Sequence, residues 1–424
     1  MPHARDHSDL PASADVVVIG AGLAGLAAAQ HLTRSGRDVI VVEASDAPGG
    51  RIRTDVVDGF RLDRGFQLYN PAYPEGARMF DHEDLDLRGF ERGAIIASGG
   101  RRFRLGDPRA HPGWVVDALR APTGGPLALA RFAAYAVRCA TVDPRVLTER
   151  QDGPSRTVLA SAGVNSALMT SVVQPFLAGV FLEEELTTSR RFADLILRSF
   201  VRGTPSVPAA GMQALPEQLA RDLPTLHLNT SVTAVEPGRV TTDRGTVTAG
   251  AVVVAVGPGQ VPALLPGRPA PQTRSCTTWY HVPDQPPGDL AFGQALLTLD
   301  ADHAGPVVNS AVMTHAAPSY APPGASLVAS TAVGLHPDLP ESVVRGLLAR
   351  MYGVPTDRWQ LVARYDVPDA LPAMVPPLNV RQSVVLGDGM FIAGDHRDTA
   401  SIQGALVSGR RAATAVGAHL AGVR

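Results

Sequence analysis

The sequence predicts an α/β fold built on a parallel sheet, joined by a second portion of α+β character. Three observations lead there. A run of β-branched residues, Val16 to Ile19, is followed by Gly20, Gly22 and Gly25 at GxGxxG spacing. An alanine- and leucine-rich stretch, Leu23 to Leu32, comes next. A second apolar run, Val39 to Val42, then ends in Glu43. Strand, glycine turn, helix and strand, with both strands apolar throughout, is the pattern of a parallel sheet covered on both faces.

Taken in order, Met1 to Ala14 carries His3, Arg5, Asp6, His7 and Asp9 without an apolar segment. It is expected to be a flexible tail and not a secretory signal. The helix from Leu23 closes near Ser35-Gly36. Gly20 permits the tight turn, Gly22 lets the backbone approach a pyrophosphate, and Gly25 lets helix and strand pack closely. The helix N-terminus, with Leu23 and Ala24, offers amides and a positive dipole end to phosphates. Glu43, with Ala44 beside it, can accept both hydroxyls of an unphosphorylated ribose. These features describe a Rossmann-like dinucleotide site.

The following segment selects the dinucleotide. Gly49-Gly50-Arg51-Ile52-Arg53-Thr54 precedes Gly59-Phe60-Arg61-Leu62-Asp63-Arg64-Gly65-Phe66-Gln67. A nicotinamide enzyme needs no second glycine-arginine loop here, whereas a flavin dinucleotide extends past the first helix. Arg51 adds a fixed cation. This series resembles the flavin-containing amine oxidase superfamily, which includes monoamine oxidases, protoporphyrinogen oxidases and carotenoid desaturases. The resemblance implies FAD, held in part by Gly49, Gly50, Arg51, Gly65, Phe66 and Gln67.

Two later stretches extend it. Gly211 to Ala220 resembles the family's "GGMQALPEAL" element, which precedes a strand whose backbone meets the adenine edge; Val232 matches that position. Ala251 to Val256 is then the parallel strand completing the sheet. Phe391-Ile392-Ala393-Gly394-Asp395 and the stretch from Ser401 to Arg411 resemble the C-terminal flavin motif. By that resemblance Gly394 and Asp395 lie beside the ribityl chain and pyrophosphate. The helix opening through Ser401, Ile402, Gln403, Gly404 and Ala405 points at the flavin pyrimidine, where its N-terminus stabilises the charge of reduced flavin. The FAD domain is therefore expected to be discontinuous, over 15–70, 205–264 and 385–424. Residues 71–204 and 265–384 would form the substrate domain.

In that second portion, Trp114 to Leu119, Leu127 to Val142 and Val158 to Val180 read as helical. Gln174 to Phe181 resembles a "PFVSGVY" element of protoporphyrinogen oxidases and bacterial desaturases. Trp279 to His281, Leu296 to Leu299 and Ser326 to Val333 read as antiparallel strands under a helical cap. Arg364 to Pro372 resembles the "W-x-x-ALP" stretch that approaches the flavin ring, with Tyr365 or Trp359 in place of the usual aromatic. Gln67, Tyr69, Trp279, Tyr365 and His396 are pocket candidates by resemblance or position; hydrogen bonding or core packing is the equal alternative for each. Gln67, Tyr365 and His396 are the candidates for catalysis.

Composition excludes other classes. With 38 basic and 40 acidic residues in 424, net charge −2, no basic field recruits nucleic acid. The chain has no lysine, which removes a lysine Schiff base and a pyridoxal enzyme. It also lacks the lysine that, in many amine oxidases, holds a water at flavin N5. Cys139 and Cys276 are the only cysteines, so neither a disulfide framework nor a CxxC pair exists. Neither lies near the C-terminal motif, so FAD is expected to be non-covalent. No metal-ligand spacing is found, and His3 with His7 is expected to bind nothing. No apolar run is long enough to span a bilayer. Leu127 to Val142, with Arg131 and Arg138, is read as core packing in preference to a peripheral membrane contact. A cytoplasmic location is expected. Val256 to Pro262 is read as a turn, because Pro262 replaces the third glycine of a second nucleotide loop.

The expected activity is hydride removal from a C–H bond of a bulky, apolar small molecule, isoprenoid- or tetrapyrrole-like. Electrons would leave to dioxygen, a quinone or a partner protein. Oxidation of an amine or amino-acid derivative is the alternative. A flavin-dependent isomerase or a cofactor-binding subunit is the alternative of another class.

Overall fold

The computed structural model describes residues 10–107 and 110–422. His3, His7 and most of the 1–14 tail lie outside that range. The first sheet begins with β1 (Ser13–Ile19), which runs into helix α1 (Leu23–Arg34) and then β2 (Val39–Val42). Far along the chain β3 (Leu226–His227), β4 (Gly245–Val254) and β5 (Met390–Ile392) join it, in the order β3-β2-β1-β4-β5. All these neighbours are parallel, with Val18 opposite both Val41 and Val253. The β-branched run of β1 is buried on both faces, as the uninterrupted apolar pattern requires.

One face is covered by α1 and by α2 (Ile402–Leu420). The two helices meet at Gly409, where a Cβ would stand 2.2 Å from the Ala24 carbonyl oxygen. The first residues of both helices, Leu23 and Ala24 of α1 and Ile402 and Ala405 of α2, line one cavity at the edge of the sheet. The strand expected over 251–256 begins earlier and ends at Val254. Its first half pairs antiparallel with Arg239–Thr242. Ahead of it, Leu226–His227 pairs with β2, and Val232–Glu236 forms a hairpin with Arg239–Thr242.

A second, seven-stranded sheet is formed by Gln360–Pro372, Thr273–Val282, Val328–Val333, Val307–Val312, Leu297–Asp300, Gly93–Ser98 and Arg101–Gly106, in that spatial order. It is antiparallel apart from the 297–300/93–98 pair. Two elements lie outside the segments assigned from sequence. The 93–106 hairpin has no periodic signal, because Ala94-Ile95-Ile96-Ala97 is too short for periodicity to assign. Glu341–Tyr352 is a helix inside the proline-rich stretch, with Val344, Leu347, Leu348 and Met351 as its buried stripe.

Residues 115–202 form a helical lobe, whose Gln174–Phe181 helix packs on the second sheet. Pro126–Thr141 packs on Arg190–Arg202, burying Ala128, Ala136 and Cys139 while Arg131 and Arg138 face solvent. The expected helix over 158–180 is broken at Ala162–Asn165 and continues through a π-helical turn, Met169–Val173, into Gln174–Phe181. Among the described residues, no helix is long and apolar enough to cross a membrane.

Candidate functional site

The loop after β1 turns sharply at Gly20, whose φ of +101° is the left-handed geometry that glycine adopts without penalty. Gly25 stands where a Cβ would lie 1.9 Å from the Gly20 carbonyl oxygen, so helix and strand touch there as the spacing implied. Gly22 differs: a Cβ on it would meet no atom within 4 Å, because it faces a cavity. The first turn of α1 has no side-chain cap and no acidic residue, leaving its amides and dipole end for an anion.

The second glycine loop is bound to the first. The Gly49 amide donates to the Ala21 carbonyl at 2.8 Å, and Gly22 and Gly49 form a parallel bridge. Glu43, buried at the tip of β2, ties the turn together. Its Oε2 accepts from the Ala21 amide at 2.7 Å; its Oε1 accepts from the Ser45 amide at 2.9 Å and hydroxyl at 2.6 Å. The carboxylate expected to face a ribose therefore also holds the glycine loop.

Arg51 reaches across the sheet edge. Its Nη1 donates to the Ala370 carbonyl at 2.9 Å and its Nη2 to Oδ1 of Asp395 at 2.6 Å. Gln67 Nε2 donates to the Arg51 and Arg64 carbonyls. Its Oε1 is buried with no partner. At α2, the Ser401 hydroxyl accepts from the Gly404 amide at 3.1 Å, and the first turn again carries no acid.

These segments surround one cavity of ≈ 760 Å³. Of the residues expected to hold a flavin, it is lined by Gly20, Gly22, Leu23, Ala24, Glu43, Ala44, Gly49, Gly50, Arg51, Gly65, Phe66, Gln67, Val232, Gly394, Asp395, Ser401, Ile402 and Ala405. Three others stand behind the wall. Gly25 is a packing contact, Gly404 lies where a Cβ would be 1.9 Å from the Thr399 carbonyl, and Gln403 turns its Oε1 to the Glu75 amide at 2.9 Å.

The pocket candidates divide. Gln67 and Tyr69 line the cavity; Tyr365, Trp279 and His396 do not. The Tyr365 hydroxyl donates to Asp55 at 2.9 Å, and its ring meets Tyr280 edge-on. Trp279 is buried in the second sheet under the Arg364 guanidinium. His396 faces a different cavity. The segment read as a turn, 256–262, does more than close the sheet: Gly257 and Gln260 join Val232 at the Glu43 end of the cavity.

Beyond the glycine loops, the cavity runs between the helical lobe and the second sheet. Phe176 and Val180 of the Gln174–Phe181 helix, Phe192 and Phe200 of Arg190–Arg202, and Leu297 and Leu371 supply an apolar wall. Asn309 and Thr331 are buried polar residues within it. Asn309 Oδ1 has no hydrogen-bond partner, and Gly179 gives it room, since a Cβ there would lie 1.9 Å from Asn309 Nδ2. Nothing in the sequence flagged Asn309, one polar residue in an apolar strand. Cys276 also lines the cavity, but burial pushes its thiol up to about 11, which keeps it protonated and a poor nucleophile.

The arrangement fits a flavin dinucleotide on grounds internal to the structure: an open face at Gly22, the uncapped start of α1, a first turn of α2 free of acidic residues, and the orphaned Gln67 oxygen.

Comparison with known proteins agrees. A 50-residue stretch is 62% identical to phytoene dehydrogenase of Streptomyces griseus, covering 12% of this chain and 10% of that protein. A 73-residue stretch is 41% identical to chloroplastic/mitochondrial protoporphyrinogen oxidase 2 of Arabidopsis thaliana, covering 17% and 14%. These matches thus span about a seventh or less of the relatives' own length. At the level of fold, a putrescine oxidase bound to putrescine superposes with a TM-score of 0.67 and 19% identity, over 96% of this chain and 99% of that one. The family model of flavin containing amine oxidoreductases matches residues 23–417, nearly the whole described chain, and the protein therefore belongs to that family.

Proposed function

We propose that the protein oxidises a C–H bond of a bulky, neutral and predominantly apolar molecule, isoprenoid- or tetrapyrrole-like, using non-covalently held FAD. One observation carries this reading. The charged residues lining the cavity are Glu43 at the tip of β2, Arg51 on the second glycine loop, Arg64 on the Gly59–Gln67 segment and Asp395 on the Gly394–Asp395 turn. Among the described residues, the wall drawn from 176–205, 276–331 and 367–371 contributes no charged side chain. An ammonium group placed against that wall would be desolvated without a carboxylate partner, a cost of several kcal/mol. An apolar body gains by the same burial.

In this reading the amides of Leu23 and Ala24 and the open face at Gly22 take the pyrophosphate. Glu43 and Val232 stand at the adenosine end. Arg51 and Asp395 fix the middle of the cofactor, and the start of α2 faces the flavin pyrimidine. Bound flavin supplies two-electron acceptance. Phe176, Phe192, Phe200 and Leu371 position the reacting carbon and exclude water. Dioxygen, a quinone or a protein then receives the electrons.

Anaerobic mixing tests the reading. Neutral isoprenoids, or porphyrinogens bearing only alkyl substituents, should bleach the visible flavin band, while putrescine and simple monoamines leave it unchanged. Bleaching by amines alone would overturn it.

A further inference from the structure

A second cavity, of ≈ 360 Å³, shares two walls with the flavin cavity. Along 370–374, Ala370 and Leu371 line the first while Pro372, Ala373 and Met374 line the second. Along 392–397, Gly394 and Asp395 line the first while Ile392, His396 and Arg397 line the second. Size and composition suit a small organic ligand, with an apolar lining and a few convergent polar groups.

Two of those polar groups, His396 and Arg268, are unspent. His396 is only 3% exposed, yet neither ring nitrogen has a hydrogen-bond partner. Burial, with Arg397 and Arg51 against the pull of Asp395, lowers its pKa to about 4. At neutral pH it therefore presents one free donor and one free acceptor. Arg268 lines the same cavity and is exposed, and among the described residues no carboxylate is paired to it. Arg397 is committed to the Ser383 carbonyl and to Gln382 Oε1. Its pKa is held down by burial and then by the neighbouring Arg268 and Arg411. The nearby acid Asp398 is paired with Arg411 at 3.4 Å. Positive charge thus gathers at the mouth without a counter-ion of its own, above walls of proline, alanine, methionine and leucine.

We propose that this cavity is a binding site for an organic anion, a carboxylate or phosphate monoester on a compact apolar body, with Arg268 and His396 holding the charged head. The site is independent of the substrate assigned to the flavin cavity.

Calorimetric titration of the FAD-loaded protein with phenyl phosphate and with benzoate tests it; the tighter of the two names the head group. Saturation of one site per chain is expected, weakened at least tenfold in Arg268→Gln and by added salt. Benzyl alcohol, the same body without charge, should not saturate. His396→Gln should weaken binding without changing the flavin spectrum. Failure of both anions to saturate below about 10 mM would overturn the proposal. So would wild-type affinity in Arg268→Gln, equal binding of benzyl alcohol, or displacement of flavin by the ligand.

Discussion

The Nη2 of Arg51 lies 2.6 Å from Oδ1 of Asp395, joining two positions 344 residues apart at the edge where α1 and α2 begin. The Arg51 side chain is one-third exposed, whereas that of Asp395 is almost wholly buried. Asp395 therefore depends on its partner more than Arg51 does. Arg51→Gln leaves a buried carboxylate without a cation, a loss of about 1–2 kcal/mol once solvent screening of the arginine is allowed for. Flavin retention should weaken about tenfold, read as the FAD dissociation constant of the apoprotein by fluorescence titration. Asp395→Asn in the same chain should recover part of that loss, since the unpaired charge is removed with its partner. Unchanged FAD affinity in Arg51→Gln would show that the ion pair does not shape the cofactor site.

Gly22 and Gly25 give opposite outcomes from the same one-carbon change. At Gly22 the backbone has an ordinary φ of −71°, and an added methyl meets only the cavity. Gly22→Ala should unfold at the wild-type temperature when both are stripped of flavin, yet bind FAD more weakly by about 1–3 kcal/mol, because the methyl occupies ligand space. At Gly25 the methyl meets the Gly20 carbonyl at 1.9 Å and the Ala255 side chain at 3.2 Å. Gly25→Ala must displace α1 from the sheet, at a cost of about 3 kcal/mol or more to the fold itself. Thermal unfolding of the two apoproteins separates the cases.

The same contrast explains what could be read from sequence. Glycine spacing between an apolar strand and an alanine-rich helix is dictated by backbone contact, so Gly20, Gly22 and Gly25 announce their geometry directly. Arg51 could be recognised as a fixed cation, but its partners, Asp395 and the Ala370 carbonyl, follow only from the tertiary fold. The substrate end was less legible. Asn309 gains meaning only because Gly179, from a distant helix, makes room for it. Tyr365 had the right residue type and neighbourhood, but it belongs to a long strand and points to Asp55. The phase of a strand against a cavity is decided by pairing register, which one sequence does not specify.

Asp63 supplies a pH dependence. It is fully buried and accepts from the Thr54 hydroxyl at 2.6 Å, the Met212 amide at 2.9 Å and the Tyr320 hydroxyl at 2.9 Å. Burial outweighs these bonds and raises its pKa to about 6. An unfolded aspartate titrates near 3.9, so between about pH 4 and 6 the folded chain retains a proton that the unfolded chain has lost. The Asp63 contribution to stability is therefore greatest below pH 4, falls as pH rises, and is flat above 6. Asp63→Asn cannot titrate, and its side chain can still accept from Thr54 and Met212 while donating to Tyr320. Relative to wild type it should gain about 3 kcal/mol of stability between pH 4 and 7, measured by urea unfolding. A difference that stays flat across that interval would mean that the Asp63 proton is not held by burial.

Asn309 sets stability against activity at the substrate wall. It is 3% exposed, its Oδ1 has no partner, and the surrounding lining is apolar. A buried acceptor left unsatisfied costs about 1–3 kcal/mol, and Asn309→Leu removes that cost with a side chain of the same heavy-atom skeleton, whose larger methyl groups can extend into the cavity. The variant should be more stable, with an unfolding midpoint raised by about 2 °C. Persistence of such a costly group is reasonable if a bound molecule satisfies it. A substrate that donates one hydrogen bond from a hydroxyl or ring N–H would lose that contact in the variant. Its kcat/KM should fall about tenfold, mostly through KM, because the contact is made equally in ground and transition states. Phe200→Leu, a change of shape without polarity, should reduce turnover of the same substrate through positioning and leave the unfolding midpoint at or below that of wild type. A gain in stability in Asn309→Leu with kcat/KM intact would assign Asn309 no part in holding substrate.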